Sequence, residues 1–131
     1  MSTTLHELGI VADQLGRHDE ALHAWHEAIA VNADIVDDDV RRDADAASWH
    51  AIAHHHLERD DWALALTALD GELAALLLPA QVTRRARALY WRAFAVVATD
   101  REERHRDAIV ALRAALALYD EMPASMRDPV A

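Results

Sequence analysis

Nine histidines in 131 residues, four of them at His50, His54, His55 and His56, are the side chains of this chain best equipped for chemistry. At i and i+4 on a helix, His50 and His54 share a face. They can hold Zn²⁺ or Ni²⁺ if a third ligand such as His6 or Asp13 reaches them. Glu20 and His23 have the Glu-x-x-His spacing of di-iron bundles, but that site needs a second copy and two more inward carboxylates. Glu102 and His105 repeat the spacing in a segment that reads as a turn. The ligand set does not close from sequence, so no metal and no cofactor are expected. Imidazoles also titrate near pH 6.5. Protonating all nine would offset almost the whole formal charge of −10 and loosen a basic partner below about pH 6. His18 and His56 read as packing residues instead.

Nucleophiles are scarce. Ser2, Ser48 and Ser125 have no Gly-rich elbow, and Gly9, Gly16 and Gly71 are scattered rather than gathered into a phosphate-binding loop. There is no cysteine, which removes disulfides, thiolate metal sites and a cysteine nucleophile together. The pair Asp60 and Asp61 suits a helix N-terminus, where negative charge favours the dipole. An enzyme is not expected.

Charge is uneven along the chain. Residues 1–66 carry fourteen acidic side chains against four arginines, and residues 67–131 carry nine of each. Such a field repels phosphate backbones and steers a basic partner to the first half, although plain solubility accounts for it equally well. No apolar stretch nears the roughly 20 residues of a membrane span, and the N-terminus lacks the pattern of a secretory signal. A cytoplasmic protein that binds neither nucleic acid nor membrane is expected.

Positioning these residues falls to helices, since Ala and Leu dominate and β-branched and aromatic residues are few. The apolar spacing predicts three helix hairpins, at about 4–33, 45–78 and 80–121, in one domain over residues 1–123 with a frayed tail at 124–131. Gly16 should end the first helix. An acidic connector, Asn32 to Asp45, either a loop throughout or helical at its end, should follow the first hairpin, with a turn near Arg59 to Asp61 in the second. Pro79 should open the third hairpin and Thr99 to Arg106 should turn it. Leu5, Leu8, Gly9, Ala12, Ala21 and Trp25 recur as Trp49, Ile52, Ala53, His56, Ala65 and Leu69, which marks an internal repeat. Trp25, Trp49 and Trp62 read as packing residues, while Trp91 lies either in a groove or in the core.

Across residues 5–33 the chain resembles the tetratricopeptide repeat family: Leu5 at the large position, Leu8-Gly9, Gly16 at the turn, Ala21, Trp25 and Ala28. The resemblance is fair in the second unit, where Asp60 replaces the turn glycine and Glu72 the second small residue. It is weak in the third. It implies an all-α, right-handed solenoid of three stacked hairpins, six helices in all, with Ala21, Ala65 and Ala108 at equivalent crossings. The A helices would line a groove for a partner peptide or protein. By family position the groove takes His6, Ile10 and Asp13, then His50, His54, Leu57 and Glu58, then Trp91 and Arg92.

The leading reading is thus a non-enzymatic protein interaction module with a basic partner. The second is a metal-binding helical protein or metal-dependent enzyme built on the histidine clusters. Homodimerisation through Tyr90, Phe94, Leu116 and Tyr119 of the third hairpin is a further expectation, since no polar capping helix follows it.

Overall fold

A computed structural model describes residues 2–121. Among them there is no strand: five α-helices, α1 (Ser2–Gln14), α2 (His18–Asn32), α3 (Asp38–Leu57), α4 (Trp62–Ala75) and α5 (Val82–Glu121), are joined by one 3₁₀ turn at Pro79–Gln81. The all-α class with six helical segments is as expected. The chain divides into two compact units, Met1–Val97 and Ala98–Ala131. The packing described below belongs to the first. The expected tail at 124–131 lies outside the described residues.

The turns after α1 and α3 close in the same way. Arg17 N–H donates to Ala12 O at 2.8 Å and Gly16 N–H to Asp13 O at 3.1 Å, while Gly16 adopts a φ of 78°. In the second hairpin Asp61 N–H donates to His56 O at 3.0 Å and Asp60 N–H to Leu57 O at 3.3 Å, with Asp60 at a φ of 58°. Both are Schellman closures, in which one left-handed residue lets the chain reverse while satisfying the last helical carbonyls. Glycine meets that requirement without steric cost. Asp60 does not, so Asp60→Gly is expected to raise stability by up to about 1 kcal/mol in urea denaturation. A lower midpoint would show that the carboxylate contributes more than the backbone strain costs.

Two sequence expectations need correction. The second hairpin begins at Asp38 and not near Asp45, so the connector does have a helical end: the Asp37 carboxylate accepts from Asp39 N–H and Val40 N–H, both at 3.0 Å. Asp38 and Asp39 in the first turn complement the dipole, so the aspartates build a helix start rather than a loop. The predicted turn at 99–106 does not form either, because α5 runs unbroken from Val82 to Glu121. That segment contains neither Gly nor Pro, and its acid-before-arginine spacings, Asp100 to Arg104 and Glu102 to Arg106, favour helix. The third hairpin is therefore replaced by a single 40-residue helix.

α1 packs on α2, α3 on α4, and α3 also on α1 and α2. Ala21, Trp25, Ile52, Ala53, Ala68, Leu69 and Ala88 form the central core, with Leu57, Ala65 and Ala95 in a second cluster. Ala21 and Ala65 are both fully buried; the Ala108 side chain lies outside the described residues. Glycines admit the largest side chains. The Trp25 indole lies directly over Gly9, and a Cβ on Gly71 would fall 2.7 Å from the Trp49 ring. Trp49 is only partly buried and can give way. Gly71→Ala is therefore expected to cost about 1–2 kcal/mol, read as a lower denaturation midpoint. Of the residues expected at a dimer contact, Tyr90, Phe94 and Leu116 are exposed, and the Tyr119 side chain lies outside the described residues.

Candidate functional site

α1 and α3 lie side by side and present polar side chains to a shared cavity. His6, Ile10 and Asp13 from α1 and His50, His54 and Glu58 from α3 line a volume of about 290 Å³, with the buried Trp25 beneath. Six of the nine predicted groove residues are thus gathered. The other three are elsewhere. Leu57 is buried against Ala65 and Ala95, because three residues beyond His54 the helix has turned that side chain towards α4 and α5. Arg92 Nε donates to Asp70 Oδ1 of α4 at 2.7 Å, which holds it away from the cavity. Trp91 is half-buried: it packs against both core clusters and meets His54 edge-on at 5.8 Å.

Each groove histidine has its own tether. His6 Nδ1 shares a hydrogen bond with the buried Ser48 hydroxyl at 3.1 Å, and His50 Nδ1 donates to Glu72 Oε1 at 3.2 Å. His54 lies against His50, with ring centroids 4.2 Å apart and the planes tilted by 47°. These tethers draw the rings to different partners, and among the described residues the candidate set of His50 and His54 with His6 or Asp13 does not converge. Glu72 is almost wholly buried and its Oε2 has no hydrogen-bond partner. It faces a second cavity of about 270 Å³, shared with His6, His50, Arg84 and Arg87.

Burial, followed by the neighbouring imidazole charge, holds His54 and His56 below the ordinary histidine range. His6 is lowered by burial too; Glu7 opposes the shift and His50 adds to it. The sign follows. The folded state prefers neutral His6, so the unfolded chain binds more protons below 6.5, and this contribution to stability is lost as pH falls from there towards the folded midpoint. An NMR titration in EDTA is expected to place the His6 midpoint below 6.5. A midpoint above it would mean that Glu7 dominates.

Sequence reasoning missed the densest polar cluster. Asp13 Oδ1 accepts from His18 Nδ1 at 2.9 Å and from His55 Nδ1 at 3.0 Å. Arg59 Nη2 lies over the edge of the His18 ring, 2.7 Å from Nδ1 and 2.9 Å from Nε2, and Arg59 Nη1 donates to His55 O at 2.8 Å. Burial works against the Asp13 carboxylate, but the two imidazole bonds and the charges of His55 and Arg59 outweigh it and keep the carboxyl below its usual range. His18 is therefore a polar bracket and not the packing residue expected. Its approach to Asp13 was legible, since the Gly16 turn brings residue 18 back beside residue 13. The arrival of His55 from α3 had no local signal. His56 does pack: it is buried, with Nδ1 3.8 Å from Asp61 Oδ2.

No protein-family model, curated protein or solved structure matches this chain. Among the described residues, no helix is long and apolar enough to cross a membrane.

Proposed function

We propose that the protein is a non-enzymatic interaction module that binds a basic segment of a partner protein in the cavity between α1 and α3. The observation that carries this reading is the gathering of Asp13 and Glu58 with four imidazoles around one cavity, over Ile10 and Trp25. Carboxylates attract the heads of Lys or Arg while the apolar floor accepts their methylene stems. The acidic first half of the chain draws such a partner in and repels nucleic acid. The resemblance to tetratricopeptide repeats, in which A helices line the binding surface, supports the same assignment, and a cytoplasmic setting accords with it.

Fluorescence anisotropy with arginine-rich and glutamate-rich peptides of equal length tests it. The basic peptide is expected to bind and to weaken as salt rises. Glu58 is 70% exposed at its side chain, so Glu58→Arg leaves the fold intact and is expected to lower the affinity at least tenfold. Equal affinity for the two peptides, or indifference to Glu58→Arg, would remove the proposal.

A further inference from the structure

Three side chains outside the six that converge as predicted, or shared with them only at Asp13, invite a different ligand. The geometry points to a zinc site formed by Asp13, His18 and His55, one ligand each from the end of α1, the start of α2 and the end of α3. Among the described residues, these three bring one ligand atom each within 4.8 Å of one another. Asp13 Oδ1 is 2.9 Å from His18 Nδ1 and 3.0 Å from His55 Nδ1. A tetrahedral zinc with ligands at about 2.0–2.1 Å sets neighbouring ligand atoms about 3.3 Å apart. Along the two Asp13 pairs the side chains need open by only a few tenths of an ångström, and the His18 and His55 ligand atoms lie within 4.8 Å of each other. The protons now held between nitrogen and oxygen occupy the space the ion would take; on binding, each imidazole gives up its Nδ1 proton to solvent, offers that lone pair to the metal and carries its remaining proton on Nε2.

The surroundings suit an ion. His55 is 3% exposed at its side chain, which fixes one ligand firmly, whereas Asp13 at 26% and His18 at 40% leave an entry path from solvent. A carboxylate with two imidazoles is a ligand set for zinc and its neighbours rather than for calcium or magnesium. The Arg59 guanidinium lies against His18 and 3.9 Å from Asp13 Oδ1, so a cation already rests against this cluster. Zinc must displace it. Arg59 is 31% exposed at its side chain and can swing outward. Removing it should favour metal, because its charge lies 3.9 Å from Asp13 Oδ1 and repels a second cation.

The test uses the full chain without a polyhistidine tag, stripped with EDTA and titrated with zinc alone by calorimetry, and with Co²⁺ as an optical probe. One equivalent is expected to bind, with tetrahedral cobalt absorption in the visible and shifts of the His18 and His55 imidazole resonances in NMR. His18→Ala is expected to weaken binding at least tenfold, while Arg59→Ala tightens it and His54→Gln leaves it unchanged. Melting of apo His18→Ala beside the apo parent separates lost ligation from lost fold. No binding by the parent and Arg59→Ala alike would overturn the site. So would binding that His54→Gln abolishes, or that shifts the His50 and His54 resonances in place of His18 and His55. No peptide enters this experiment, so its outcome is independent of the groove reading.

Discussion

Trp25→Ala is expected to lower folding stability by about 3–5 kcal/mol, a large share of the roughly 5–15 kcal/mol that a domain of this size holds. The indole is 2% exposed, and it does three things at once. It fills the space that Gly9 leaves on α1. Its Nε1 donates to His6 O at 3.1 Å, which ties α2 to the α1 backbone. Its ring edge meets His55 of α3, with centroids 6.2 Å apart, so three helices share one contact. Truncation leaves a cavity where all three meet and removes the bond from Nε1 to His6 O. Guanidinium denaturation of the variant and parent reads the loss directly. Gly9→Ala gives a second reading of the same contact: it should be strongly destabilising with Trp25 present and much less so beside Trp25→Leu, where the added methyl has room. A loss below about 1 kcal/mol for Trp25→Ala would mean that the indole is not the joint between α1, α2 and α3.

His50→Ala is expected to cost about 2–3 kcal/mol, because it strands a buried carboxylate. Glu72 is 2% exposed and its Oε1 accepts from His50 Nδ1, while Oε2 has no hydrogen-bond partner. Arg84 and Arg87 border the same cavity and soften the loss, which keeps it below the upper range for a broken buried pair. Glu72 stands where the repeat has Ala28 in the first hairpin, so Glu72→Ala restores the small residue. That single change should be close to neutral, and Glu72→Ala should recover most of the stability lost by His50→Ala. Urea denaturation of the four proteins closes the cycle. If the double variant is no more stable than His50→Ala alone, the loss arises from His50 packing on His54 and not from the carboxylate.

The legible part of the site came from the resemblance to a repeat family, whose positions picked out His6, Ile10 and Asp13 on α1 and His50, His54 and Glu58 on α3, and these six line one cavity. Leu57 was misassigned because a family position fixes a residue's rank along a helix and not the small rotation that turns it inward. The run at 99–106 was misread for a related reason. A charged, polar stretch looks alike in a turn and on an exposed helix, and only the lack of Gly and Pro distinguishes them.

What the chain alone determined was everything set within a few residues: the all-helical class, the left-handed reversals at Gly16 and Asp60, and the stop before Pro79. These signals are local because backbone hydrogen bonds and φ preferences act over at most one helical turn. Only the tertiary structure decided that His55 meets Asp13, that Arg92 turns to Asp70, and that Trp25 lodges over Gly9. Such contacts depend on where one helix crosses another, and that crossing is chosen by packing all the interfaces at once.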